Sequence, residues 1–371
     1  MPGIKQPARV VVSAAYGAPE TWAWVRNALV VRALPKLLTR GHPPSAASVL
    51  PNYVLAAARA AHLAVRENAD LLVSEGALEL LVAGSIFRLL GLKEIPFVAV
   101  DAHYPPEMAP NLRWRLQRQL TRLVLGQAGL GCLASEDIAR FQRLLGADPA
   151  RLGLVRHYAL PTVFRYAQET RPVRDVIFCG GIYQRDFETL YEAARLVEAP
   201  VEVVTESARL PATRPPGNLT VLGPVYGQEF RERLATSRLV AMPLKPVSWV
   251  AGLSVLADAL ALGRPVVASA TWGMGDYIEH GRSGLLVEPS QPEQLAEALN
   301  YLWRQPEEAT ALGQEAALFA RRELTFKAHL VALQRLVRRS LGINLTFDYE
   351  PPAHLALPQM PELAREEPAD L

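Results

Sequence analysis

Cysteine is scarce in this chain of 371 residues, with only Cys132 and Cys179 present. Both lie in apolar runs, so we expect two buried thiols, no structural disulfide and a reducing compartment. Long apolar runs are missing too: no stretch of about 18 uncharged apolar residues occurs, which argues against a membrane-spanning helix. The first residues lack the apolar core of a signal peptide. These absences together predict a cytoplasmic protein.

Several motifs of well-known catalytic sites are missing as well. The chain has no His-Glu-x-x-His, Gly-x-Ser-x-Gly, Walker A or paired-cysteine pattern. Their absence disfavours zinc proteases, serine hydrolases and P-loop enzymes. No Asp-x-Asp metal motif occurs either, so we expect no bound metal, and we expect no nucleic-acid partner.

Charge is distributed unevenly along the chain. Residues 1–170 contain 19 Lys and Arg against 12 Asp and Glu, a net charge of +7. Residues 171–371 contain 20 against 25, a net charge of −5, and the acidic segment 345–371 accounts for this excess. A basic first half indicates an anionic partner, although ordinary surface charge explains it equally well.

Short apolar runs alternate with helical patterns throughout the chain. In the first half the runs of strand length are Val10–Ser13, Leu71–Ser74, Phe97–Val100 and Leu154–Arg156. Such alternation predicts a parallel sheet covered by helices on both faces. We therefore predict an α/β fold in which residues 1–165 form one Rossmann-like domain.

The pattern restarts near Arg174 and predicts a second Rossmann-like domain over residues 173–341, with its last three helices at 291–304, 306–323 and 325–341. Residues 161–172 lack clear periodicity and are predicted to be a linker. The acidic, proline-containing segment 345–371 is predicted to be an extended or disordered tail. Two such domains facing each other place a ligand cleft at the carboxyl ends of their strands.

The stretch from residue 248 to 287 contains the strongest candidate site. Gly252, Leu253 and Ser254 precede an apolar helix, for which Ser254 is the predicted N-cap, and the free amides of a helix start bind phosphate. Asp258 lies one turn further along the same face. A carboxylate among Val, Leu and Ala needs polar partners. Ribose hydroxyls are suitable partners, although an exposed helix position explains this acid too.

A second candidate group follows the strand predicted at 176–179. Gly180 and Gly181 allow a ligand to approach the backbone closely, and Arg185 is suited to neutralise a diphosphate. In the first half, His103 follows the strand PFVAV at its carboxyl end. We expect it either to contact a sugar hydroxyl or a carbonyl, or to be structural.

Taken together, these segments resemble a known family. GLSVLADALALGRPVVAS and GMGDYIEHGRSGLLVEPSQPEQLAEAL are similar to the C-terminal signature of the retaining GT-B glycosyltransferases of family 4. VIFCGGIYQRDFETLYEAA is similar to the first strand, loop and helix of the same domain, and DAHYP and CLASEDIARF are similar to N-terminal features. The resemblance covers residues 8–340 and is strongest over 252–299.

The resemblance implies a metal-independent, hexosyltransferase-type enzyme that holds a nucleoside-diphosphate sugar mainly in its C-terminal domain and needs no other cofactor. It assigns the diphosphate to Arg185 and the amides of residues 252–254, and the ribose to Asp258. It places Tyr226 near the nucleobase and His103 near the transferred sugar. The acceptor, whether a sugar, a lipid-linked molecule or a small molecule, is expected on the N-terminal domain.

One position departs from the family pattern. The E-x7-E motif of the family has a Glu eight residues before the position of Asp258, where it contacts the donor sugar, and this chain has Val250 there. Retaining transfer in the family is described as front-face, with the donor's own phosphate assisting the acceptor hydroxyl, so no enzymic nucleophile is required. Two alternatives stay open: a GT-B nucleotide-sugar epimerase, and a non-catalytic GT-B protein that binds a nucleotide, a glycan or a partner.

Two basic segments with tryptophan suggest contact with a membrane. Residues 22–40 combine Trp22 and Trp24 with Arg and Lys, and residues 112–125 surround Trp114 with arginines. Basic amphipathic helices of this kind bind anionic lipid surfaces, although helices of ordinary soluble domains look similar. The hypothesis predicts peripheral attachment at the inner face of the membrane and a lipid-linked acceptor.

Overall fold

A computed structural model describes residues 9–14, 19–32, 46–75, 82, 84–86, 95–100, 119, 122, 128–169 and 171–357. His103 lies outside the described residues, as do the tail beyond residue 357 and most of the segment 112–125. The described residues form two parallel sheets of six strands each, covered by helices. This arrangement confirms the predicted α/β fold with two Rossmann-like units.

The first sheet has the strand order β2-β1-β3-β4-β5-β6, and every pair in it is parallel. Its strands are β1 Val10–Ala14, β2 Ala28–Arg32, β3 Leu71–Glu75, β4 Phe97–Val100, β5 Ala128–Cys132 and β6 Leu152–Leu154. The described helices of this half are α1 Pro19–Trp22, α2 Ala46–Arg66, α3 Ser135–Leu145 and α4 Pro161–Tyr166. β3, β4 and β5 are buried along their whole length, as expected for strands with helices on both faces.

The second sheet has the order β12-β11-β10-β7-β8-β9 and is also entirely parallel. Its strands are β7 Arg174–Gly180, β8 Val201–Val204, β9 Leu219–Val221, β10 Ser237–Met242, β11 Val266–Ser269 and β12 Leu285–Val287. Its helices are α5 Phe187–Ala194, α6 Gly227–Thr236, α7 Leu253–Ala261, α8 Pro292–Arg304 and α9 Pro306–Glu323. The strand order reverses between β7 and β10, and ligands of doubly wound sheets bind at such a reversal.

The last helix, α10 (Phe326–Leu341), packs on the first sheet and not on the second. Its apolar residues Leu330, Leu333 and Leu336 share a core with β1, β3 and β4. A Cβ atom added to Gly129 of β5 would lie 2.6 Å from Ser340 Oγ, so this glycine makes room for the helix. The helix predicted at 325–341 therefore exists, but the assignment of its residues to the C-terminal domain is wrong.

Residues 345–357, which follow α10, are ordered and extended along the first domain. Tyr349 forms an antiparallel bridge with Val25, and Asp348 O accepts a hydrogen bond of 2.9 Å from Arg26 N. Phe347 is buried and meets the Trp22 ring edge to face, with 5.9 Å between the ring centres. Of the two conformations expected for the tail, residues 345–357 adopt the extended one, because aromatic burial and backbone pairing hold the segment.

The basic helix proposed for residues 22–40 is wrong where the structure describes it. Helix α1 ends at Trp22, and residues 28–32 form the edge strand β2. Trp22 is completely buried, and its Nε1 donates a hydrogen bond of 2.8 Å to Glu75 Oε1. This indole is therefore not free to enter a lipid surface. No helix within the described ranges is long and apolar enough to cross a membrane.

We predict that Phe347→Ala destabilises the protein although Phe347 lies near the end of the chain. Removal of a buried phenyl ring costs about 3 kcal/mol, because the Trp22 ring loses its packing partner. Thermal unfolding measures the effect. Val331→Ala on the partly exposed face of α10 is the control and should change stability by roughly 0.5 kcal/mol or less. Equal shifts for the two variants would show that residues 345–357 do not stabilise the first domain.

Candidate active site

The candidate site lies where β7 and β10 end side by side. The loop after β7 is tied to the loop after β10 by backbone hydrogen bonds, from Asp186 N to Pro243 O at 3.0 Å and from Lys245 N to Gln184 O at 2.9 Å. Between these two bonds, Arg185 forms an antiparallel bridge with Leu244. The backbone of Arg185 is therefore fixed from both sides.

The Arg185 side chain is buried, with only 4% of the residue exposed. Its Nε donates a hydrogen bond of 2.9 Å to Gly180 O, and its Nη1 has no hydrogen-bond partner among the described residues. No carboxylate in the described ranges is among the groups that perturb its pKa. Burial lowers its pKa, although a guanidinium stays charged in proteins. A buried cation without a counter-charge is unfavourable, so an anion that reaches it would bind strongly.

Two glycines let the guanidinium sit in this position. Gly181 has φ +123° and Gly252 has φ +75°, conformations that other residues rarely adopt. A Cβ atom at Gly252 would lie 2.5 Å from Arg185 Nη1, and one at Gly181 would lie 2.9 Å from Nη2. The structure thus brings together three of the residues singled out in the sequence: Gly181, Arg185 and Gly252. Gly180 has a different role, because a Cβ atom there would collide with the rings of Phe178 and Phe230.

Helix α7 begins at Leu253 with Gly252 as its N-cap, and no side chain caps it. The prediction that Ser254 is the N-cap is wrong, because the left-handed conformation at the cap position requires a glycine; Ser254 is an exposed residue of the first turn. The first amides of an α-helix have no partner within the helix, and the helix dipole adds about half a positive charge there. The uncapped start of α7 and the Arg185 guanidinium therefore supply positive potential at adjoining positions.

Asp258 lies within α7, one turn beyond this start, and is partly buried. Burial raises the pKa of its carboxyl to about 7, and the charge of Arg231 on α6 opposes that rise. Arg231 Nε is itself buried without a hydrogen-bond partner among the described residues. A ligand hydroxyl that donates to Asp258 would stabilise its charged form.

Tyr226 is the N-cap residue of α6 and is 59% exposed. It lies between Gly223 and Gly227, which both have positive φ, in the loop after β9. This loop leaves the same edge of the second sheet as the loop with Arg185, since carboxyl ends of parallel strands share one edge. The ring is free to stack on a planar group.

Val250 is buried between the two domains. A Cβ atom added to Gly273 would lie 2.3 Å from Val250 Cγ2 and 2.6 Å from the Cβ of Ala134 in the first domain. Val250 and Ala134 belong to one apolar core. The residue in place of the expected Glu thus has a packing role, and a carboxylate there would be buried among apolar groups.

A polar joint next to Val250 was not predicted from the sequence. The first turn of α3 meets the loop after β11 through three hydrogen bonds: Ser135 N to Asp276 Oδ2 at 2.6 Å, Gly273 N to Glu136 Oε1 at 3.1 Å, and Trp272 Nε1 to Asp137 Oδ1 at 3.1 Å. The sequence offers one signal for these hydrogen bonds, the neighbouring acids Glu136 and Asp137 in the first turn of α3. Acids at this position usually indicate only a favourable interaction with the helix dipole. The joint connects the two domains directly beside the candidate site.

Among the described residues, no cluster of three or more His, Cys, Asp or Glu side chains has an arrangement suited to a metal ion. Cys132 and Cys179 are free and buried. Burial raises the pKa of Cys179 to about 12, so this thiol is not a nucleophile at neutral pH.

Comparison with protein families gives a match in the second domain. Residues 173–305 match the family described as Glycosyl transferases group 1. A shorter stretch of 66 residues is 38% identical to the D-rhamnosyltransferase WbpZ of Pseudomonas aeruginosa and covers 18% of this chain. The match spans only 17% of that relative.

Solved structures match over nearly the whole chain. HepE of Anabaena, solved with UDP, has a TM-score of 0.64 at 15% identity, covering 86% of this chain and 97% of HepE. The sucrose-phosphate synthase of Thermosynechococcus elongatus has a TM-score of 0.65 at 15% identity, covering 90% of this chain and 99% of the synthase. At this level of identity the likeness shows the fold, which is the two-domain GT-B architecture.

We predict that Asp258→Asn stabilises the unliganded protein at pH 8 but not at pH 4. The raised pKa means that the folded state favours the protonated carboxyl, so Asp258 lowers stability progressively as pH rises from about 4 through about 7. Asparagine carries no charge and avoids this loss. Thermal unfolding at the two pH values measures it, with Asp175→Asn on the exposed rim of the same domain as the control. An equal shift at both pH values would contradict a perturbed carboxyl.

Proposed function

We propose that the protein is a glycosyltransferase that moves a sugar from a nucleoside-diphosphate sugar to an acceptor hydroxyl. The observation that carries this proposal is the Arg185 guanidinium, buried between Gly181 and Gly252 beside the uncapped start of α7. The match of residues 173–305 to a glycosyltransferase family supports it, because these residues include all those proposed to hold the diphosphate and the nucleoside. So does the fold shared with HepE, which was solved with UDP-glucose.

In this proposal the diphosphate binds between Arg185 and the first amides of α7, at Leu253 and Ser254. Charge develops on the diphosphate as the sugar leaves, and fixed donors aimed at that charge stabilise the transition state. The Arg185 guanidinium and the first amides of α7 both supply positive potential at this position, so the reaction is proposed to need no metal ion.

The nucleoside is proposed to lie towards α6. Asp258 accepts hydrogen bonds from the ribose hydroxyls, and Tyr226 stacks on the base. The perturbed pKa of Asp258 supports this role, since acids at ligand sites commonly have shifted pKa values. The exposure of Tyr226 leaves its ring accessible to a base.

Transfer is proposed to retain the anomeric configuration. The leaving phosphate oxygen takes the proton of the acceptor hydroxyl on the same face, so no side chain acts as nucleophile. His103 follows β4 and is proposed to contact the transferred sugar. The acceptor is proposed to bind the N-terminal domain, and the reaction to take place in the cytoplasm.

The burial of Val250 bears on one alternative, a GT-B protein that binds a nucleotide or glycan without turnover. In the family that the sequence resembles, the Glu at this position contacts the donor sugar. Here the same position stabilises the contact between the domains, so the donor sugar must be held by other groups, or is not transferred at all.

We predict that Arg185→Ala weakens binding of the preferred nucleoside diphosphate by roughly thirtyfold, about 2 kcal/mol for a lost charge-assisted hydrogen bond. A thermal-shift screen with UDP, GDP and ADP identifies the nucleotide, and calorimetry measures the affinities. Arg209→Ala in the same domain, where the arginine pairs with Glu206 at the surface, is the matched control and should bind normally. Unchanged affinity in Arg185→Ala for every nucleotide that the wild type binds would refute the site.

Turnover distinguishes the enzyme from its alternatives. We expect release of nucleoside diphosphate from one nucleotide sugar only when an acceptor is present, and NMR of the product should show retention. Sugar isomers released without an acceptor would indicate an epimerase. Binding without turnover across a panel of nucleotide sugars with sugar and lipid-linked acceptors would indicate a non-catalytic protein.

A further inference from the structure

A shallow cavity of about 480 Å³ opens at the carboxyl edge of the second sheet. Its walls come from the loops after β10, β11 and β12. The indole rings of Trp249 and Trp272 line it together with the hydroxyl residues Ser248 and Thr271 and two prolines. No residue with an ionisable side chain is among its described lining residues, so the cavity suits an uncharged ligand.

The polar groups of the cavity point to a ligand with hydroxyls. Thr271 Oγ1 is shielded from solvent and has no hydrogen-bond partner among the described residues. A buried hydroxyl without a partner is unfavourable, so a ligand that supplies one gains affinity. Aromatic rings with a few well-placed polar groups are typical of small-molecule sites. An uncharged sugar fits this combination, because its ring has apolar C–H faces for the indoles and hydroxyls at its edge.

Contacts hold two of the residues that line the cavity, Trp272 and the backbone of Thr271. Trp272 Nε1 donates to Asp137 Oδ1, and the Arg140 guanidinium covers the ring with 3.8 Å to its centre. The backbone of Thr271 is held by a hydrogen bond of 2.8 Å from its N to Ser269 O. Since the Trp272 indole does not need to be ordered on binding, more of the contact energy becomes affinity.

The cavity is separate from the proposed donor site. Arg185, Gly252 and Asp258 are not among its lining residues. Val250, directly after Trp249, packs instead towards Gly273 and the first domain. A ring bound here would therefore lie against a different set of residues from those proposed to hold the diphosphate and the ribose.

We propose that this cavity binds an uncharged sugar residue of the acceptor, so that the acceptor glycan extends from the N-terminal domain onto the C-terminal domain. The position supports this, because Trp272 takes part in the joint between the domains. The inference rests on the proposed glycosyltransferase function.

Saturation-transfer NMR on the full chain tests it, with the methyl glycosides of glucose, galactose, mannose and rhamnose as probes, in the presence of the nucleoside diphosphate that the wild type binds. We expect at least one glycoside to bind. Trp249→Ala should weaken it by about tenfold or more. Thr271→Val, which keeps the shape and removes the hydroxyl, should weaken it by roughly fivefold.

Trp303→Phe is the control, since Trp303 lies on α8, away from the cavity, with the Arg238 guanidinium over its ring. This variant should bind the glycoside normally. Nucleotide affinity should be unchanged in Trp249→Ala. The inference is overturned if no glycoside binds the wild type, or if both cavity variants bind the glycoside as well as the wild type does. It is also overturned if the variants lose affinity for the nucleotide sugar alone. Failure of the proposed function is seen separately, as a wild type that binds no nucleoside diphosphate.

Discussion

The site depends on one buried positive charge. Arg185 is held in the interior at the reversal of strand order, against two glycine backbones and beside the uncapped start of α7. Burying a cation in this way is costly, and the described residues provide no carboxylate to offset the cost. An anion bound beside the guanidinium would offset that cost. The strand order supports it, because it places the loops after β7 and β10 next to each other.

The second constraint is the contact between the two domains. Val250 packs against the first domain at the position where the sequence pattern leads one to expect a Glu. The hydrogen bonds between the start of α3 and the loop after β11 lie beside this apolar contact. Helix α10 and Phe347 belong to a separate core on the first sheet. Val250 therefore stabilises the contact between the domains, and Trp249, the residue before it, lines the cavity together with Trp272.

The sequence alone predicts the first strand of the second sheet and the last three helices to within two residues, because apolar runs and helical periods depend on local spacing. It misses β2 and β5. The first contains an arginine and the second two glycines, so neither has a strong strand signal, and both form because neighbouring strands pair with them. The sheet on which α10 packs is also not predictable, since helical periodicity shows that the helix has an apolar face but not which sheet that face covers. The structure places Arg185 and Gly252, both singled out in the sequence, next to each other, while the cap at Gly252 and the packing of Val250 follow only from backbone angles and tertiary contacts.

The most direct test of the central claim is the contribution of each phosphate to nucleotide binding. Calorimetry on the wild type, comparing the nucleoside, its monophosphate and its diphosphate, separates the anion site from the base and ribose contacts. We predict no measurable binding of the nucleoside and an affinity that rises by about tenfold or more between monophosphate and diphosphate, with a marked decrease at high salt. A nucleoside that binds as tightly as its diphosphate would contradict the account, because the buried Arg185 and the start of α7 would then not be the principal recognition site.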